Sequence, residues 1–118
     1  MPTTIPALIV PSAGAAFERS TIERRDIREY DVRIDIAFAG ICHSDIHQAR
    51  AEWGRAIFPM VPGHEIAGIV TEVGSAVTKH TVGDRVGIGC FVDSCRECDN
   101  CLAGEEQFCQ KGMVATYN

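Results

Sequence analysis

The chain has 118 residues, 46% of them hydrophobic, with 11 Lys and Arg against 16 Asp and Glu and a formal net charge of −5. A chain of this size buries one modest core, so a single globular domain is expected. The acidic balance argues against a module that grips nucleic-acid phosphates, and no apolar stretch is long enough to cross a bilayer.

In chain order, the N-terminal run MPTTIPALIVPSAGAAFER carries no Lys or Arg before Arg19, and Pro6 and Pro11 interrupt its apolar residues. It does not read as a signal peptide, which points to a reducing cytoplasm, where clustered cysteines usually mean metal. Over residues 32–38, Val32, Ile34, Ile36 and Phe38 alternate with Arg33, Asp35 and Ala37, the period-two pattern of a strand with one buried face. A helix is expected from Ser44 to about Glu52, with Ser44 and Asp45 suited to its N-terminus and Ser44 and His47 on one face. Two further strands, 66–73 and 85–92, flank the Gly83-Asp84 turn. Such strands suggest a small antiparallel barrel or sandwich. No internal repeat or linker divides the chain. Gly87 and Gly89 begin a GxG, but Val92 holds the third glycine position and the cysteines follow where a helix would be needed. A Rossmann phosphate turn is therefore excluded.

Cys95, Cys98, Cys101 and Cys109 lie within CRECDNCLAGEEQFC. Two nearest-neighbour disulfides would close very short, strained loops that gain little chain entropy. A tetrahedral structural zinc tolerates this spacing, with sulfurs at about 2.3 Å. Asp93, Glu97, Asp99, Glu105 and Glu106 make this lobe acidic, against a phosphate-binding zinc ribbon.

A second constellation is GICHSDIH at 40–47 followed by PGHE at 62–65. Cys42 and His64 are ligand types that zinc selects and Glu65 offers an oxygen; three protein ligands and an open position mark a catalytic zinc. From chemistry alone the alternative stays open: Cys42 as a small buried residue, His64 as a satisfied loop histidine and His47 as a helix-surface residue. Cys90 reads as a strand core residue with no function.

The ordered set GICHSDIH, PGHEIAGIVTEVG, VGDRV and the four-cysteine lobe resembles the N-terminal catalytic domain of zinc-dependent alcohol dehydrogenases of the medium-chain dehydrogenase/reductase superfamily. HSDIH, EWG, FPMVPGHE and VGIGCFVDSCRECDNC are most similar to the cinnamyl alcohol dehydrogenase branch. The resemblance runs from about Asp31 to the last residue. It implies a mainly β fold, a GroES-like β-barrel with short helices, occupying residues 1–118 with a structural zinc lobe at 90–112 and stopping before the Rossmann domain.

The resemblance also implies roles. Cys42 and His64 match catalytic zinc ligands, Glu65 a carboxylate that can approach the metal, and Asp45 an acid that orients the histidine ligand. Ser44 and His47 match a proton relay, His43 a contact to the cofactor pyrophosphate, and Trp53 a wall of the substrate cleft. Zinc would lower the pKa of the alcohol and hydride would pass to NADP or NAD, with NADP usual in this branch. The family's third catalytic ligand, a cysteine, falls beyond Asn118, so the 118 residues alone are expected to hold structural zinc yet lack turnover. The longer enzyme implied is a cytoplasmic homo-oligomer acting on small alcohols or aldehydes. The competing class is a non-catalytic, zinc-stabilised binding module, which shares the lobe but gives no reason for HSDIH, GHE and Trp53 to occur together.

Overall fold

The computed structural model describes residues 2–118. Its described elements run β1 (Thr3–Ile9), β2 (Glu18–Arg24), β3 (Val32–Ala39), α1 (His43–Ala49), β4 (Ile66–Val73), β5 (Arg85–Ile88), β6 (Phe91–Asp93), α2 (Asp99–Leu102), a 3₁₀ turn (Glu106–Phe108) and β7 (Val114–Ala115). The mainly β architecture with short helices and a cysteine lobe is the one expected from the sequence. All strand pairs are antiparallel and fall into three ladders: β1-β2, β3-β4-β5 and β6-β7. None of the described helices is long and apolar enough to cross a membrane.

The expected strand at 66–73 is β4 as observed, and the expected strand at 32–38 is β3 with one residue added. The helix begins one residue earlier than expected and ends at Ala49. The apolar run at 85–92 is not one strand. It breaks at Gly89-Cys90, so that β5 pairs with β4 while β6 turns away to pair with β7. Cys90 is consequently exposed rather than part of a strand core. The N-terminal hairpin β1-β2 was not predicted, because Pro6 and Pro11 hide its pattern. Beyond it, Val10 and Met60 exchange backbone hydrogen bonds of 2.8 and 2.9 Å and are both buried.

The alternating face of β3 departs from expectation in burial. Ile36 is 57% and Phe38 76% exposed, and Ile41 just beyond is 85% exposed. The period-two pattern correctly gave the strand, but register shifts between Arg33 and Ile34 and between Ile36 and Phe38 break the alternation, so its far end does not keep one buried face. The buried side chains among the described residues gather elsewhere: Val10, Ala49, Met60 and Val70 in the body, and Cys98, Cys101 and Cys109 in the lobe.

The β3-β4 pair is braced at its open end by a tight turn. The Asp31 carboxylate accepts the Arg28 N–H at 2.8 Å and pairs with the Arg25 guanidinium. Gly74 closes against this turn, its N–H donating to the Asp31 carbonyl at 2.8 Å. A Cβ on Gly74 would stand 2.1 Å from the Arg28 carbonyl oxygen, a backbone atom that cannot step aside, so only glycine fits.

The Arg25 side chain, with the Arg28 N–H, holds the Asp31 carboxyl down at about 2. Because the folded value lies below the unfolded value of about 3.9, the stabilisation is complete above about pH 4 and is lost as pH falls toward 2. Asp31→Asn should therefore lower stability at neutral pH by about 1 kcal/mol or less, the range of exposed pairs, and flatten the acid limb of a urea-midpoint-versus-pH curve. An unchanged acid limb would show that Asp31 does not contribute.

Candidate metal centres

The lobe leaves the body through a two-strand neck. Phe91 and Asp93 of β6 pair with Ala115 and Val114 of β7, so residues 94–113 form a closed excursion. Within it, all six cysteines of the chain being free thiols, the sulfurs of Cys95, Cys98, Cys101 and Cys109 lie within 4.8 Å of one another. Thiolates at tetrahedral corners about 2.3 Å from an ion stand about 3.8 Å apart. Cys95 Sγ lies 3.8 Å from Cys101 Sγ. The donor set therefore fits a closed four-sulfur site, and the disulfide alternative is not adopted.

The backbone is folded to receive negative sulfur. The Cys95 N–H donates to Cys109 Sγ at 3.4 Å, the Cys98 N–H to Cys95 Sγ at 3.3 Å and the Gln110 N–H to Cys98 Sγ at 3.5 Å. The Gln110 N–H, with the Cys101 N–H, draws the Cys98 thiol down to about 6. The Cys95 N–H likewise lowers Cys109. Cys101 moves the other way. The Ser94 hydroxyl favours its thiolate, but burial and the adjacent Cys98 and Cys109 sulfurs outweigh it and push the thiol up to about 11. Four ionised sulfurs in so small a volume repel one another, and a divalent cation is what removes that penalty.

The second cluster draws on three segments. Cys42 is the N-cap residue of α1, and Asp45, three residues on and buried, accepts the Cys42 N–H at 2.9 Å through Oδ2. One carboxylate thus fixes both the start of the helix and the backbone of a candidate ligand. His64 and Glu65 come from the segment just before β4, tied back by the Gly40 N–H donating to the Glu65 carbonyl at 2.7 Å. Gly40 matters sterically as well, since a Cβ there would stand 2.4 Å from Glu65 Oε2 and 3.0 Å from its Cβ. Ligand atoms of Cys42, His64 and Glu65 lie within 4.8 Å of one another, at a cleft of about 510 Å³ that Ser44 and Cys90 also line.

The His64 side chain, followed by the Ser44 hydroxyl, lowers the Cys42 thiol from its ordinary value. A softened thiol beside an imidazole and a carboxylate suits a divalent, borderline-soft metal such as zinc, with room left in the cleft for a further ligand.

The other candidate residues separate into two groups. Ser44 stays with Cys42, its Oγ 3.5 Å from Sγ. His47 instead stacks between His43 (ring centroids 4.6 Å) and Trp53 (4.9 Å), with Nδ1 bonded to the Glu52 carboxylate. Asp45 is placed beside the cluster, but its bonding partners are the Cys42 N–H and the Tyr117 hydroxyl, which donates to Oδ1 at 2.7 Å. Tyr117 also tilts its ring against His64 at 5.6 Å. Burial, then Asp45, raises the Tyr117 hydroxyl well above its ordinary pKa, so it remains a donor. Glu52 and Tyr117 were missed by sequence reasoning, and Cys90, read as a strand core residue, lines the cleft instead. Glu52 follows His47 by five residues and carries the signal of a nearby carboxylate, whereas Cys90 and Tyr117 arrive only through the break after β5 and the return of β7.

Replacing Cys101 by Ser should abolish tight metal retention by the lobe and expose its thiols. Thiol labelling with metal analysis checks this: the wild-type chain should keep its lobe ion and label only outside the lobe, at Cys42 and Cys90, while the variant should lose that ion and label at the remaining lobe cysteines as well. Metal retained at full stoichiometry would contradict the four-sulfur assignment.

Comparison with known proteins sets these two clusters in a family. Residues 28–118 match the alcohol dehydrogenase GroES-like domain. The chain is 69% identical over 111 residues to the probable formaldehyde dehydrogenase AdhA of Bacillus subtilis, covering 94% of this chain and 32% of that protein. It is 63% identical over 117 residues to the NADP-dependent alcohol dehydrogenase C 1 of Mycolicibacterium smegmatis, covering 98% and 34%. Among solved structures, the CAD of Helicobacter pylori complexed with NADP(H) superposes with a TM-score of 0.92 at 48% identity, covering 98% of this chain and 33% of that one. The chain spans about a third of the length of the relatives it matches. With three quarters of its residues inside the match and both metal clusters formed, the chain belongs to the alcohol dehydrogenase GroES-like domain family.

Proposed function

We propose that residues 1–118 form the metal-bearing catalytic domain, with the structural lobe at 90–112, of a zinc-dependent NAD(P) alcohol dehydrogenase or aldehyde reductase. The observation that carries this reading is the convergence of Cys42, His64 and Glu65 at an open cleft, beside a separate four-sulfur cluster. A binding module would need only the second. NADP is favoured over NAD because one close relative is named NADP-dependent and one similar structure holds NADP(H). Names such as formaldehyde dehydrogenase and cinnamyl alcohol dehydrogenase among the relatives support small alcohols and their aldehydes as substrates. Thiols kept free in two metal-ligand clusters suit a cytoplasmic protein, and the longer enzyme is taken as a homo-oligomer that binds neither nucleic acid nor membrane.

Zinc held by Cys42 and His64, with Glu65 in reach, would polarise an alcohol or carbonyl oxygen. The chain's own groups then handle the proton and the positioning. Ser44, at hydrogen-bonding distance from Cys42, stands where it can take the substrate proton. His47 lies one helical turn further on; with Nδ1 engaged by Glu52, Nε2 is the nitrogen free to pass a proton outward. Trp53, stacked on His47, forms a flat apolar wall for the substrate, and His43 on the other side of the stack is assigned to the cofactor pyrophosphate.

The test is metal stoichiometry with turnover. The purified 118-residue chain should bind two zinc ions, one tightly in the lobe and one more weakly; Cys42→Ala should lose only the weaker one. Neither protein should oxidise benzyl alcohol at a measurable rate with NADP. A second ion that Cys42→Ala fails to remove would overturn the catalytic-zinc reading, and clear turnover by the 118 residues would overturn the expectation that they are insufficient.

A further inference from the structure

Tyr117 has no role in the function proposed above, yet among the described residues its hydroxyl joins the Cys42 backbone N–H in holding the buried Asp45 carboxylate. We infer that Tyr117 is a positioning residue: its hydroxyl anchors Asp45, Asp45 anchors the Cys42 backbone, and its ring sets the near side of His64, so that two metal ligands are held ready for the ion.

Three observations support this. The Tyr117 O–H to Asp45 Oδ1 distance of 2.7 Å and the Cys42 N–H to Asp45 Oδ2 distance of 2.9 Å place one carboxylate between the two groups with both oxygens used. The Tyr117 ring lies 5.6 Å from the His64 ring at 52°, close enough to limit imidazole rotation. Tyr117 is itself pinned on both sides. The Thr116 N–H donates to the Cys90 carbonyl at 3.1 Å, while Asn118 accepts the Ile57 N–H at 2.8 Å and donates to Gln48 Oε1 at 3.1 Å. The strand returning from the lobe thereby grips α1 and the segment after Trp53. Groups that orient ligands without touching the ion commonly change metal affinity 10–100-fold.

This inference rests on the catalytic-zinc reading for its affinity effect but not for its geometry, and the experiment separates the two. Tyr117→Phe keeps the ring against His64 and removes only the O–H. In the 118-residue chain with the lobe loaded by one zinc, hydrogen exchange of the Cys42 amide is measured, followed by titration with Zn²⁺ to obtain the affinity of the second ion. The expected result is Cys42 amide exchange at least tenfold faster in Tyr117→Phe and a second ion bound about tenfold more weakly, with the lobe ion and the melting of the lobe unchanged. Asp45→Ala, which removes both acceptor oxygens, should raise the same exchange rate and serves if Tyr117→Phe folds poorly. Unchanged Cys42 exchange in the folded variant overturns the positioning role whether or not a second ion binds. Faster exchange with a second ion that Cys42→Ala fails to remove upholds the positioning role and defeats the catalytic-zinc reading instead.

Discussion

Four sulfur atoms within 4.8 Å of one another set the terms for this structure. Left to themselves they cannot share one ionisation state: Cys98 sits near 6 while Cys101 is driven to about 11. A divalent cation replaces mutual repulsion by common attraction, and the free energy of binding it becomes free energy of folding for the lobe. The consequence is large here because Cys98, Cys101 and Cys109 are three of the few buried side chains among the described residues. In this lobe the metal site takes the place that a hydrophobic core holds elsewhere.

What the lobe fixes reaches beyond itself. Its two ends are clasped by the β6-β7 pair, so its geometry decides where the chain re-enters the body. Re-entry brings Thr116 onto the Cys90 carbonyl, Tyr117 onto Asp45 and Asn118 onto α1. The second cluster is therefore built from residues 42, 64 and 65 but supported from residue 117, more than seventy positions from Asp45. Gly40 contributes at short range, leaving the space into which the Glu65 carboxylate fits.

The parts of this arrangement legible in the sequence are those carried by local spacing. The four cysteines, the alternation of β3, the β4 run and the helix start at HSDIH each encode their structure within 15 residues or fewer, and each is found within one residue of where it was read. Illegible parts depend on what comes close from far away. Cys90 looks like a strand residue because β-branched and apolar neighbours surround it, and only the divergence of β6 from β5 turns it into the cleft. Asp45 was read as the partner of a histidine, whereas its oxygens are bound to the Cys42 N–H and the Tyr117 hydroxyl, a choice that no local motif encodes. The N-terminal hairpin was hidden by two prolines, which suit an edge strand and its flank as well as they suit a loop.

The exposed half of β3 shows the limit of reading burial from periodicity. Alternation records which face a strand was selected to bury, not whether the residues at hand can bury it. Ile36 and Phe38 continue the sequence alternation of Val32 and Ile34, but register shifts between Arg33 and Ile34 and between Ile36 and Phe38 interrupt the face, and both stand open, as do Leu8 and Phe17 beside an apolar hollow of about 600 Å³ next to α1. The chain spans about a third of the length of the relatives it matches. The lobe needs no such cover, because its core is a ligand set complete within 15 consecutive residues of sequence. The body and the lobe thus differ in what completes them. A metal ion would satisfy the lobe locally, whereas the body relies on Val10, Ala49, Met60 and Val70 for its buried contacts, and the Cys42 cleft, supported by Tyr117 on the chain's return from the lobe, joins the two.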